Sequence, residues 1–500
     1  MIVDAGSLSR DRTLETDVCI VGAGPAGLVL AHRLARSGRE VLVLESGALA
    51  GEHAAQRLNE GRVIGGPYAG LRETRWRQVG GSANRWNTMV DGHAFAKFTP
   101  LDEWDLQAWP FGPADLAPWY REAQHVLRLG PHAYEGSDWP DPNRPELPLA
   151  SDVFVTRIYQ FGTAGTVLAM AEAVRTSDRI RVCPGLTATG VTLDGSGSRV
   201  TGLAAARLDG LTVRVAASRV ILAAGAIENA RLLLLLRQGT LAGQAWLGRG
   251  FMEHPRDYSL ALLPASPTLL DRMGFYDAHR AADGTIIGGR LGLTRDAVVA
   301  DRLPNAAVTL LPRRRPLGPL ATLVDRTLLR TPRGYGWSRV RAPGRRYDGL
   351  RLVINLEQRP RLENCIRLGP DRDPLGLPRP VLEWSWSAEE QAGLERLRAG
   401  LARGLGDAGI GRLVIEPGAR PDPNAHHHAG TTRMHVDPRE GVVDADCRVH
   451  GLENLYVAGG SVFPSAGFAN PVLTIVALCL RLAAHLDGLN APSRSPPRTS

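Results

Sequence analysis

The stretch TDVCIVGAGPAGLVLAHRLARSGREVLVLESG, Thr16–Gly47, decides the fold class of this 500-residue chain. A short apolar, β-rich run, Val18–Val21, leads directly into Gly22-Ala23-Gly24-Pro25-Ala26-Gly27. Apolar residues then recur at helical spacing (Leu28, Leu30, Ala31, Leu34) until Gly38 supplies a stop. A second run, Val41–Leu44, ends at Glu45, so the segment reads as a βαβ opening. Gly22 permits the tight turn, Gly24 lets the backbone approach a pyrophosphate, and Gly27 lets helix and strand pack closely. The helix N-terminus faces the phosphate charge. Glu45 is placed to accept hydrogen bonds from an adenosine ribose. A lone GxGxxG is weak; with strand, helix and acidic residue in place it is specific for a dinucleotide, without separating NAD from FAD.

Working outward, RVILAAG (Arg219–Gly225) is another strand ending in glycine, and AIENARLLLLLRQ continues it as a helix. ENLYVAGG (Glu453–Gly460) is a third such unit. NPVLTIVALCLRLAAHL (Asn470–Leu486) is a helix apolar nearly all round and therefore buried, with Asn470 suited to the N-cap and Pro471 to the first helical position. The expected class is α/β, with a Rossmann-like nucleotide-binding domain assembled from both chain ends, residues 1–250 and 421–490. Residues 251–420 form an α+β second domain, where RLVINLEQRPRLENCIRLG and PVLEWSW read as strands and AEEQAGLERLRAGLARGLG as a helix. The stretch 491–500, closing in SRSPPRTS, should be disordered, and there is no internal repeat.

Hydrophobic content of 44% and charged content of 22% are those of a soluble globular chain. The first twenty residues show no basic-then-apolar leader, and no apolar run reaches the ~18 residues of a membrane span, so a cytoplasmic protein is expected. Five scattered cysteines without a CxxC pair fit reduced, buried thiols rather than disulfides or zinc ligands. The net charge of +8 is carried almost wholly by arginine, Lys97 being a rare exception, so it points to no nucleic-acid partner. The basic stretch Arg302–Arg351, with Arg313, Arg314, Arg315, Arg345 and Arg346, reads as a solvated, mobile insert. An anionic substrate or an acceptor-protein dock is the sharper alternative. Self-association is left open.

One further segment, NAHHHAGTTRMH (residues 424–435), carries three consecutive histidines. Successive residues of an extended segment point to opposite faces, so adjacent histidines do not converge on one ion and no metal is expected.

Taken in order, GAGPAG with Glu45, VGGSANRW (Val79–Trp86), AAGAIENARLLL (Ala223–Leu234), LGRGFMEHP (Leu247–Pro255), LEQRPRLENCIRLGPDRDPLGLPRP (Leu356–Pro380), HHAGTTRM (His427–Met434) and NLYVAGGSVFPSAGFANP (Asn454–Pro471) resemble the glucose–methanol–choline (GMC) oxidoreductases nearly end to end. The final blocks look most like the branch of pyranose oxidases and bacterial sugar oxidoreductases. The resemblance implies an FAD enzyme that oxidises a sugar or glycoside hydroxyl, leaving open whether oxygen, a quinone or another acceptor takes the electrons. The family's His-x-x-Gly-Thr pattern selects His427 as catalytic histidine, and its second active-site position falls on Asn470. A neutral imidazole can accept the hydroxyl proton while hydride passes to flavin N5. An amide at Asn470 can hold the developing alkoxide, and the dipole of the helix after Pro471 can stabilise charge on reduced flavin.

The implied FAD-binding positions are Gly22, Gly24, Gly27, Glu45, Gly80, Gly81, Ser82, Asn84, Trp86, Ala224, Gly225, Gly459, Gly460, Ser461 and Pro471. Arg85 stands where some pyranose oxidases carry the histidine that bonds covalently to FAD, so non-covalent FAD is expected. Ser461 stands where many flavoproteins carry aspartate, and the AIENARLLL block lacks parts of one common family signature. His254 in FMEHP matches a structural position of the family. YQFGTAG (Tyr159–Gly165) reads as a glycine-interrupted loop able to close over substrate, with Tyr159, Gln160 and Thr163 as candidate readers of sugar hydroxyls. Other readings are a non-sugar polyol or natural-product alcohol as substrate, a non-redox lyase on the same scaffold, or a flavin binder without catalysis. A monooxygenase is disfavoured because no second glycine motif is evident.

Overall fold

The structure is a computed structural model. It describes residues 1–488 apart from residues 4, 5, 7, 91, 92, 150, 151, 164, 237, 238 and 326–330. The stretch expected to be disordered, 491–500, lies outside the described residues.

The Thr16–Gly47 segment folds as read: strand Arg12–Val21, helix Pro25–Arg36, strand Val41–Glu45. Gly22 and Gly38 both adopt left-handed φ, at the turn and at the helix end respectively. These two strands pair in parallel, and Ile180–Pro184 extends the sheet beyond Val41–Glu45. On the other side Thr212–Leu222 runs parallel to Arg12–Val21 over its whole length. Its first half also pairs antiparallel with Val200–Ala206, and its last three residues pair parallel with Leu455–Val457. That pairing inserts the C-terminal part of the chain into the N-terminal sheet, so the two chain ends do build one sheet. Among the described residues it has seven strands. Val18, Cys19, Ile20 and Leu42–Leu44 are buried, as central parallel strands covered on both faces must be. The closing helix, Val472–Leu486, packs on Pro25–Arg36 and on Pro113–Leu127. It begins one residue later than expected: Pro471 carries helical dihedrals, and its carbonyl accepts the Ile475 N–H at 2.9 Å.

The second sheet is antiparallel, and the expected boundary at residue 250 does not divide it from the first. Its order runs from Gly411–Ile415 through Arg256–Pro264, Tyr347–Leu356, Ala306–Arg314 and Ile286–Leu293 to Phe154–Thr163, His93–Phe98 and Thr88–Val90. The last three strands precede residue 250. Which sheet they join is set by the pairing of Phe154–Thr163 with Ile286–Leu293, a contact far away in sequence. A small sheet likewise joins Arg62–Gly65 to Cys365–Arg372 and Pro378–Trp384.

Two further expectations are corrected. Tyr159–Thr163 of YQFGTAG is not a loop: Phe154–Thr163 is a continuous strand, because its glycine faces Phe98 and Leu129 side chains rather than solvent, while Ala164 lies outside the described residues. Nor are the two ends of Arg302–Arg351 a mobile insert, since Ala306–Arg314 and Tyr347–Leu356 are adjacent strands inside the sheet; residues 326–330 between them lie outside the described residues. The arginines misled the reading because several are held at strand ends: Arg313 pairs with Asp348, Arg314 with Asp325, and Arg315 donates to the Gly344 carbonyl. All five cysteines are buried and free.

Candidate active site

At the C-terminal ends of the parallel strands the fingerprint glycines divide into two kinds. A Cβ on Gly27 would lie 1.9 Å from the Gly22 carbonyl oxygen, and one on Gly22 would lie 2.7 Å from that of Ala223. These glycines exist so that backbone can touch backbone. At Gly24, Gly225 and Gly459, by contrast, a Cβ would meet nothing within 4 Å. They border open space at the ends of three parallel strands, where an open α/β sheet takes its ligand. Gly80 donates to the Ala23 carbonyl at 2.8 Å, and a Cβ on Gly81 would come within 2.9 Å of Gly24 Cα, so the Val79–Trp86 segment packs on the glycine turn. Asn84 spends its amide on the Val79 and Gly81 carbonyls, holding that short helix. Ser82 is exposed, Arg85 lies over the Trp76 ring at 3.5 Å, and Trp86 meets Phe98 edge-on at 5.8 Å.

A small cleft opens beside this turn, lined by Gly22, Ser46, Arg77, Ala224, Glu228 and Arg231 among others. Glu45 ties the turn together: its oxygens accept the Ala23 and Gly47 N–H groups, each at 2.8 Å. Burial favours protonating Glu228, yet Arg77, Arg231 and Arg75 outweigh it and hold this carboxyl far below the usual carboxylate range. Asn229 joins two strand ends, accepting from Ala224 N–H and donating to the Ala458 carbonyl and to Ser461 Oγ. Sequence reading passed over Arg77, Glu228 and Asn229. The Asn in AIENARLL offered the one available signal, because amides inside an apolar helix are buried only with partners.

The histidine triplet reaches this region by pairing with the last glycine unit: Gly430, Thr432 and Met434 donate to the carbonyls of Gly460, Ser461 and Val462. Thr431 Oγ1 donates to the Ala226 carbonyl at 2.7 Å. The three side chains then part company. His426 is exposed on a residue with φ of +62°. His428 Nε2 lies 2.8 Å from the Tyr68 hydroxyl, which donates to Glu253. His427 lies between His254 and Asn470, with Nδ1 2.9 Å from His254 Nδ1 and Nε2 3.3 Å from Asn470 Nδ2.

That geometry assigns protons. His254 Nε2 lies 3.2 Å from the Ala466 carbonyl, which only accepts, so Nε2 carries the hydrogen. Burial lowers His254 to about 4, leaving it neutral with Nδ1 as an acceptor. His427 Nδ1–H must therefore donate to it, which leaves the lone pair of His427 on Nε2 facing the Asn470 amide. Burial, and then the neighbouring His254 and Arg256, hold His427 well below its ordinary value, so the unprotonated form prevails at neutral pH. Glu253, pushed up to about 7 by burial, accepts the backbone N–H groups of His427 and His254 and fixes both residues. Asn470 Oδ1 is buried without a partner among the described residues.

Tyr159 and Gln160 are buried in their strand. The Gln160 amide donates to the Pro131 carbonyl at 2.7 Å, and the Tyr159 hydroxyl accepts from Asn355 at 3.2 Å. Thr163 is exposed at the strand end.

Residues 17–362 match the family model described as FAD dependent oxidoreductase, and residues 360–479 match that of GMC oxidoreductase. The chain is a GMC oxidoreductase. It is an FAD-dependent enzyme of CH–OH oxidation, and the open glycine cradle fits that cofactor. This GMC enzyme is 27% identical to paromamine 6'-oxidase of Streptomyces fradiae, over 96% of this chain and 93% of the relative. It is 23% identical to the fructose dehydrogenase large subunit of Gluconobacter japonicus, over 95% and 98%. The crystal structure of pyridoxine 4-oxidase from Mesorbium loti superimposes with a TM-score of 0.58 at 19% identity, covering 95% of this chain and all of that one (100%). No described helix is long and apolar enough to cross a membrane.

Proposed function

We propose that this GMC enzyme oxidises a hydroxyl of a sugar or glycoside to a carbonyl, with His427 as base and Asn470 as the group that holds the substrate oxygen. The observation that carries the reading is the hydrogen-bond line Ala466 carbonyl–His254–His427–Asn470, which leaves one imidazole lone pair directed at a buried amide. A substrate hydroxyl between the two would donate its proton to His427 Nε2 and accept from Asn470 Nδ2. The unpartnered Asn470 Oδ1 leaves room for a second hydroxyl to donate, as a vicinal diol offers. Sugar-oxidising relatives support the substrate class.

Gly22, Gly24, Gly27, Glu45, Gly80, Gly81, Gly225, Gly459 and Gly460 would hold FAD, with Ser82, Asn84, Trp86, Ala224, Ser461 and Pro471 around it. Bound FAD supplies the two-electron acceptor for hydride from the carbinol carbon. The protein's part is to orient the alcohol, take its proton at His427 Nε2 and keep the imidazole in the right tautomer. Arg85 on Trp76 offers no covalent link, so the cofactor is held non-covalently.

The test is anaerobic bleaching of the bound flavin by a panel of sugars, glycosides, polyols and simple alcohols, with His427→Ala as control. Bleaching by sugars that the variant loses by ~100-fold or more supports the reading. If no sugar bleaches a fully loaded enzyme while a non-sugar alcohol does, the sugar assignment is wrong. Re-oxidation by air or by a quinone then identifies the acceptor.

A further inference from the structure

Lys97 is the only lysine among 59 basic side chains. In a chain that uses arginine everywhere else, it sits half-buried on the strand His93–Phe98, opposite Phe161. Its ammonium lies 5.4 Å from the Tyr159 ring and 5.6 Å from the Tyr335 ring. Beside it, the Arg290 guanidinium is stacked on Tyr159 at 3.3 Å and is 1% exposed. One Arg290 nitrogen donates to Thr99 Oγ1 at 2.8 Å, while Nε and Nη1 are buried without a partner among the described residues. Arg256 Nε is likewise unpartnered. Among the described residues no carboxylate forms an ion pair with Lys97 or Arg290, and the charges bearing on Lys97 are those of Arg256 and Arg290. Burial together with those two arginines pushes the Lys97 ammonium down to about 7.

Clustered cations without an anion are costly to bury, and such a cluster persists when something else completes it. Its position says what. Arg290 lies 5.1 Å from the Phe468 ring, two residues before Asn470. Arg256 bears on both Lys97 and His427, besides Glu253. Tyr335, which walls the cluster, stands edge-on to Phe161 at 5.1 Å, and the segment after it is pinned by Asp277 through Gly336 N–H and Ser338 N–H. The cluster therefore lies beside the segment that carries Asn470, and its Arg256 bears on His427.

We propose that Lys97 and Arg290 form an oxyanion subsite, so that the substrate is a hydroxylated, sugar-like molecule carrying a carboxylate or a phosphate ester. The proposal rests on the hydroxyl-oxidising reading of His427 and Asn470. A guanidinium with two unpartnered nitrogens and a compact ammonium suit such an oxyanion, and Tyr159 and Tyr335 exclude water around it.

The experiment titrates oxidised holoenzyme with glucuronate, glucose 6-phosphate and glucose, reading the flavin absorption band and calorimetric heat, for wild type, Lys97→Met and Lys97→Arg. At least one acidic sugar binds about ten-fold or more tightly than glucose, added sulfate erodes that preference in the wild type, Lys97→Met lowers the acid-to-neutral affinity ratio about ten-fold, and Lys97→Arg retains most of it. Preference for glucuronate identifies a carboxylate, and preference for glucose 6-phosphate a phosphate. Equal affinity for all three sugars, or a preference that survives both sulfate and Lys97→Met, overturns the subsite. The sulfate arm needs no variant to fold. Anaerobic bleaching separates the two claims: an acid that binds tightly through Lys97 without bleaching flavin supports the subsite and counts against the oxidation reading, whereas bleaching by neutral sugars with no charge preference does the reverse.

Discussion

His254 offers the sharpest test of the proton assignment. In His254→Ala the His427 Nδ1–H loses its only acceptor among the described residues, and the imidazole is no longer compelled to keep its lone pair on Nε2. A buried donor left unsatisfied costs about 1–3 kcal/mol. If that penalty is felt at the proton-transfer step, the rate of flavin reduction falls about five- to hundred-fold. His254→Asn places a carbonyl oxygen near the former Nδ1 and should recover much of the loss. The assay is single-turnover anaerobic flavin reduction at saturating substrate, with flavin content measured in the same samples. The fall should appear in the limiting rate and leave the substrate concentration at half-maximal rate nearly unchanged, because His254 touches His427 and not the substrate. Equal rates for wild type and His254→Ala at full flavin loading would refute the tautomer argument, as would an Asn variant no faster than Ala.

The same residue makes a prediction about acid stability. Because its folded-state value is lowered from 6.5 to about 4, the unfolded chain takes up a proton first as the pH falls. Stability present above pH 6.5 is then lost between 6.5 and about 4, by about 3 kcal/mol in all. Denaturant titrations at pH 7 and pH 4 should show the wild type losing about that much more than His254→Asn; parallel losses would contradict the burial cause. Acid precipitation followed by filtration should release all the flavin, since Arg85 cannot form the histidyl link; colour retained on the protein would show a covalent bond elsewhere. Gly27→Ala should yield protein without flavin, because its Cβ would lie 1.9 Å from the Gly22 carbonyl and force helix and strand apart. Full flavin absorbance in the Gly27→Ala variant would mean the turn can yield.

Much of this was legible from residues alone where the chemistry is local. The βαβ opening, the buried closing helix and the glycine turns follow from periodicity and from backbone conformations that only glycine adopts readily. His427 and Asn470 were picked out by resemblance to the family's His-x-x-Gly-Thr pattern and to its position ahead of the last helix, and the fold brings them to 3.3 Å. What local pattern misjudged was partnership. The glycine in YQFGTAG suggested a loop, yet a strand in mid-sheet accepts it because Phe98 and Leu129 fill the space. The arginines of residues 302–351 suggested solvent, yet strands there lie in the sheet with ion pairs at their ends.

The dinucleotide-binding class could be read from the chain because it depends on short spacings within one element or turn, and the family and the two proposed active-site residues because their motifs resemble the family's. Three things needed the folded molecule: strands before residue 250 complete the second sheet, His254 sets the tautomer of His427, and the single lysine lies against Tyr159 beside Arg290. Those three facts join residues far apart in the chain, through hydrogen bonds and charges whose partners no local pattern names.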